Sequence, residues 1–153
     1  MNCRRVVITG MGIWSCIGQD LKTVTESLKQ GRSGIVFEPE RLEFGLQSGL
    51  VGNVPRPDLK PLLPRKFRAT MSEDAEYAYM AARQAFEQAG ITDEYYINNA
   101  IGIVWGNDGN SEIVKGNKQQ IVNSQICDPF VWVKSETSNV CISLSGIFGL
   151  TGL

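Results

Sequence analysis

Four cysteines and no histidine set the chemistry this chain can attempt. A cysteine or serine nucleophile needs a neighbouring base, most often an imidazole. Ser-His or Cys-His catalysis therefore cannot be completed within these 153 residues, and histidine-ligated metals are excluded with it. Cys3, Cys16, Cys127 and Cys141 show no C-x-x-C spacing, so neither a metal site nor a disulfide framework is expected. They read as structural free thiols. Two other features could act on a ligand. Arg65, Lys66 and Arg68 precede a strong helical pattern. Taken by themselves they read as a solvated basic turn. Gly10-Met11-Gly12 invites comparison with the dinucleotide fingerprint G-x-G-x-x-G, but Ser15 stands at the third glycine and no helix starts there. A tight structural turn is the expectation.

The elements that must position these residues alternate between strand and helix patterns. Val6 to Ile13 is nearly all apolar and suits a central strand covered on both faces. Thr23 and Glu26 read as a capping box, with Gly31 as the helix stop and Val24 and Leu28 facing a core. Residues 32–63 look irregular around Pro39, Pro55, Pro57 and Pro61, with Leu50 to Val54 as a short edge strand. A helix is predicted over 72–89, capped by Thr70 and Glu73. One face carries Ala75, Ala78, Ala82, Ala85, Phe86 and Ala89, and the other Glu73, Glu76, Arg83, Glu87 and Gln88. Gly90 and Ile91 end it. Ala100 to Gly106 reads as a second central strand leading to the polar loop Asn107 to Ser111. Helices over 112–123 and 134–144 follow. The order implies an α/β layer protein.

Length suggests one domain, and 42% apolar with 20% charged residues is ordinary for a soluble one. The net charge of −1 argues against a nucleic-acid binder. Arg4-Arg5 ahead of an apolar run ending near Cys16 superficially resembles a secretory or lipoprotein signal. Gly10 and Gly12 break that run, and Trp14-Ser15 makes a poor cleavage site. No stretch has the roughly 20 continuous apolar residues of a membrane span, so no spanning segment is expected. No charge follows Glu136, and Ile147 to Leu153 is apolar and glycine-rich, so the chain reads as interrupted.

Five blocks stand in a telling order. They are Arg5 to Gly12, the S-L-x-x-G-x-S-G-I run Ser27 to Ile35, Arg65-Lys66 ahead of Met71-Ser72 with Tyr77-Ala78 and Ala85 to Gly90, Ile101 to Ile103 with the Gly106 to Ser111 loop, and Asn139 to Gly152. Together they resemble the N-terminal part of the elongating β-ketoacyl-[acyl-carrier-protein] synthases, condensing enzymes of the thiolase fold. The resemblance implies an α/β, thiolase-like fold spanning 1–153. It implies decarboxylative Claisen condensation by a cysteine nucleophile, two histidines and a lysine, with no cofactor and no metal. None of those catalytic residues has a match here: the nucleophile would fall about nine residues beyond Gly152, loop lengths permitting. The 153 residues alone are thus expected to be inactive, and Cys141 falls in the helix before that strand. The resemblance further implies that Arg65 and Lys66, with Arg68 one position early, dock acyl carrier protein. Gly109 would border the acyl-chain pocket, although Asn107, Asp108 and Asn110 depart from the family's glycines and serines. The partners implied are acyl carrier protein and a second copy or paired condensing subunit. The alternatives are a non-catalytic carrier-binding partner and a lipoprotein attached through Cys16.

Overall fold

The computed structural model describes residues 5–43, 45–106, 129–136 and 138–151. Cys3, Cys127, the loop 107–111 with Gly109, and the helix expected over 112–123 lie outside the described residues. The chain divides into two compact units: Met1–Arg56 with Met80–Gly90, and Pro57–Tyr79 with Ile91–Leu153.

In the first unit, α1 (Leu21–Lys29) starts at Asp20 and not at the expected Thr23 box. The Asp20 carboxylate accepts from the Thr23 amide at 2.8 Å and from the Thr23 hydroxyl at 2.7 Å. An anion at the helix N-terminus that satisfies two donors outdoes a threonine hydroxyl acting alone. Gly31 ends the helix as expected. At φ 62° its amide donates to the Leu28 carbonyl, while the Arg32 amide reaches back to Ser27. Val24 is buried, but Leu28 is 67% exposed. Ser27 turns inward in its place, and its hydroxyl donates to the Ile17 carbonyl at 2.7 Å.

The stretch read as irregular contains more order than expected. Strand β1 (Ile35–Phe37) pairs antiparallel with β2 (Leu50–Gly52) in the register Ile35↔Gly52, Val36↔Val51 and Phe37↔Leu50. A short helix, α2 (Pro39–Glu43), lies between them. The expected edge strand over Leu50 to Val54 is thus present as β2 over its first three residues, while β1, equally short, is too short to display alternation. Cys16 lies half-buried against this hairpin. A Cβ built at Gly34 would stand 2.7 Å from its Sγ, and one at Gly52 3.3 Å.

Neither expected central strand forms among the described residues. Val6 and Ile8 are 94% and 84% exposed, and Val104 is fully exposed. A β-branched run becomes a strand only where a neighbour completes its ladder, and no described segment pairs with either run. Gly10 to Ile13 runs instead along the second half of α4 (Glu73–Ala89). The Met11 amide donates to Gln88 Oε1 at 2.7 Å and the Ile13 amide to Gln84 Oε1 at 3.2 Å. Gln84 Nε2 in turn donates to the Gln19 carbonyl at 2.7 Å. Gly10 and Gly12 are therefore not turn residues. A Cβ on Gly10 would collide with the Ala85 carbonyl and one on Gly12 with the Ala81 carbonyl. The spacing matches: two residues of extended chain advance about 6.6 Å, and four residues of helix about 6.0 Å. The reversal of the chain comes later, where Ser15 and Gly18 exchange backbone bonds of 2.9 and 3.3 Å.

The second unit contains α3 (Arg65–Arg68), the start of α4, α5 (Asp93–Asn98), α6 (Val131–Ser135) and α7 (Asn139–Phe148). Among the described residues Leu59, Leu63, Met71, Ala75, Ala78, Tyr79, Val140 and Leu144 are its buried apolar ones, and the Tyr79 and Phe148 rings stack at 5.5 Å. Ser72, not Thr70, caps α4: its hydroxyl oxygen accepts from the Ala75 amide at 3.2 Å. Thr70 donates its hydroxyl to the Phe67 carbonyl. Glu76, assigned by periodicity to the polar face, is buried. The single helix expected over 134–144 is two, because Glu136 takes an extended conformation with ψ 133°. Gly90 and Gly149 close α4 and α7 at φ 67° and 65°. Among the described residues no helix is long and apolar enough to cross a membrane.

Candidate functional site

The basic trio falls on α3, a single turn launched by Pro64. The Pro64 carbonyl accepts from the Phe67 and Arg68 amides at 3.2 and 3.4 Å, and the Ala69 amide donates to the Arg65 carbonyl at 3.0 Å. Arg65 and Lys66 are exposed. Phe67 is half-buried, its ring 3.9 Å from where a Cβ on Gly146 of α7 would stand. The Lys66 ammonium lies 4.8 Å from the Phe67 ring centroid, a cation–π distance that favours one orientation of the lysine. Arg68 differs from the other two. It is half-buried, and its Nε donates to the Leu63 carbonyl at 3.0 Å. The turn thus offers two outward cations and holds the third against its own backbone. Exposed cations contribute little singly, so their chemical use is to steer and orient an acidic surface.

Beside this turn lies a residue the sequence did not single out. Asn139, 2% exposed, opens α7. Its Oδ1 accepts from the Ser72 amide at 2.9 Å, and from the Ser143 hydroxyl at 3.5 Å. Its Nδ2 donates to the Thr70 and Val133 carbonyls, each at 2.9 Å. Both donors and both acceptor positions of the amide are used. The bond to Val133 links the last turn of α6 to the start of α7. An asparagine opening an apolar helical run is the one signal in the sequence, and it names none of the partners.

Cys141 lies half-buried on α7, and Cys16 belongs to the first unit. Among the described residues no three His, Cys, Asp or Glu side chains gather as a metal ion would require.

The family model described as "Beta-ketoacyl synthase, N-terminal domain" matches residues 3–153. The chain belongs to the β-ketoacyl synthase family. It is 34% identical over 159 residues to 3-oxoacyl-[acyl-carrier-protein] synthase 1 of Escherichia coli, covering 98% of this chain and 38% of that protein. The enzyme of the same name from Buchnera aphidicola is 32% identical over 155 residues, with the same coverage. This β-ketoacyl synthase chain therefore spans about two fifths of the length of the curated relatives it matches. Its fold is thiolase-like α/β. A crystal structure of a β-ketoacyl synthase from Burkholderia phymatum superposes with a TM-score of 0.83 at 24% identity, over 99% of this chain and 38% of that one. A type II PKS ketosynthase in complex with its acyl-carrier protein matches with a TM-score of 0.68 at 18% identity, over 97% and 41%.

Proposed function

We propose that this chain is the N-terminal part of a 3-oxoacyl-[acyl-carrier-protein] synthase and supplies its carrier-docking turn. The whole enzyme elongates acyl chains. A cysteine thiolate accepts the acyl group from acyl carrier protein, malonyl carrier protein loses carbon dioxide, and the carbanion attacks the enzyme-bound thioester. Two histidines assist, with donors aimed at the developing negative charge. This segment has no histidine, so its contribution is recognition: residues 1–153 alone carry out no condensation. Arg65 and Lys66 meet the acidic helix of the carrier. Arg68, already bonded to Leu63, braces the turn. The chain pairs with a second copy or a related condensing subunit, a reading supported by the exposed Val6, Ile8 and Val104. The family resemblance alone assigns Gly109, outside the described residues, to the border of the acyl pocket.

The observation that carries the docking reading is the exposure of Arg65 and Lys66 on α3, and membership of the family over residues 3–153 supports it. The test is titration of the chain with holo-acyl carrier protein. Arg65→Glu with Lys66→Glu is expected to weaken binding by about tenfold at low salt and to flatten its salt dependence, at roughly 1 kcal/mol or less for each exposed charge. Unchanged affinity and salt slope would remove the reading. Incubation with an acyl thioester tests the second half: the chain stays unacylated, and stoichiometric acylation would contradict it.

A further inference from the structure

We infer that Asn139 is the positioning residue of the carrier-docking turn: through Thr70 it holds α3 in the orientation that presents Arg65 and Lys66. This role rests on the docking reading above.

The connection can be followed atom by atom within the second unit. Asn139 Nδ2 donates to the Thr70 carbonyl at 2.9 Å, which fixes the peptide that follows α3. Thr70 reaches back to α3 twice, its amide and its hydroxyl donating to the Phe67 carbonyl at 3.3 and 3.2 Å. Phe67 lies between the two exposed cations and Arg68, and its ring faces Gly146 on the helix that Asn139 opens. On the far side, Asn139 Oδ1 accepts from the Ser72 amide at 2.9 Å, so the chain leaving the turn is held as well. A four-residue helix has too few internal bonds to keep its own orientation. Its direction is set by what holds its ends. The Arg68 Nε bond to Leu63 closes the turn on its own backbone, and the Asn139 amide ties its exit to α7. Asn139 is nearly fully buried and cannot itself touch a docked protein, so any effect it has on docking passes through the turn.

The experiment measures binding of holo-acyl carrier protein to the full chain across a series of salt concentrations. Four variants are compared: Asn139→Ala, Thr70→Val, the Arg65→Glu/Lys66→Glu pair, and the pair combined with Asn139→Ala. Loss of folded protein alone divides the affinity by one factor at every salt concentration and leaves the salt slope unchanged. Displacing the cations flattens the slope, because their share of the attraction is the screened share. Asn139→Ala is expected to weaken binding by about fivefold at low salt and to flatten the slope. In its background the charge-reversal pair should cost less than threefold instead of about tenfold, a coupling that independent sites do not show. Thr70→Val leaves Asn139 and its bonds in place and removes only the hydroxyl link to Phe67. It should move the slope the same way by a smaller amount, which keeps the inference testable if Asn139→Ala does not fold. If the charge pair flattens the slope but Asn139→Ala or, failing its folding, Thr70→Val does not, docking stands and the positioning role of Asn139 is overturned. If the charge pair itself leaves the slope unchanged, the docking reading fails and the positioning role fails with it.

Discussion

Two regions of this molecule solve the same problem by opposite means. At Gly10 to Ile13 a chain segment is held against α4 by the absence of side chains, with two glutamines, Gln84 and Gln88, supplying acceptors to its amides. At α3 a short turn is held by the presence of one side chain, Asn139, whose amide is fully used. The first arrangement spreads the holding over several positions but allows no added volume. The second concentrates its polar bonds in one residue. Close packing of backbone on backbone fails by overfilling, whereas a buried polar hub fails by leaving partners unpaired.

The sharpest way to break that contrast is Gly12→Ala. The new Cβ meets the Ala81 carbonyl, which is backbone and cannot swing aside. A loss of about 3 kcal/mol or more is expected in urea denaturation of the full chain. A loss below half a kcal/mol would show that the segment has room to shift. Asn139→Ala comes next, at about 2 kcal/mol, because the buried Ser72 amide and the Thr70 and Val133 carbonyls lose their partner. Gln88→Ala tests the distributed side. It removes one bond to an exposed amide and should cost only about 0.5–1 kcal/mol, with Gln84 still in place. An effect as large as that of Asn139→Ala would erase the distinction.

The smallest expected effect is a pH dependence at α1. The Thr23 amide, and then its hydroxyl, hold the Asp20 carboxyl below the usual aspartate value of 3.8. A depressed carboxyl stabilises the folded state above that value, and the contribution is lost as pH falls through the lower folded-state value. Acid titration of the helical signal should show a shallower decline for Asp20→Asn, which caps without titrating. An identical decline would leave Asp20 without a part in it.

What the sequence made legible was local. The long helix α4, the stops at Gly31 and Gly90, and the basic turn at Arg65 and Lys66 follow from patterns within a few residues. The ordered blocks also carried the family and its thiolase-like fold, which the match over 3–153 bears out. What stayed hidden depends on distant partners. Val6 to Ile13 has the composition of a strand, but composition does not supply a ladder neighbour. Leu28 and Glu76 have the periodicity of the opposite faces, but burial is decided by what packs there. Arg68 reads like its neighbours, and only the nearby Leu63 carbonyl distinguishes it. Asn139 finds its amide partner Ser72 across 67 residues of chain, a distance no periodicity reports.

The near-equal advance of the Gly10–Gly12 segment and the α4 surface has a consequence for how this chain can change in length. Deleting or inserting a single residue there would bring Met11 or Ile13 over a helix carbonyl and move the glycines out to solvent. The segment behaves like a toothed rack meshed with the helix, in which only whole steps fit. Variation in length is closed at this site.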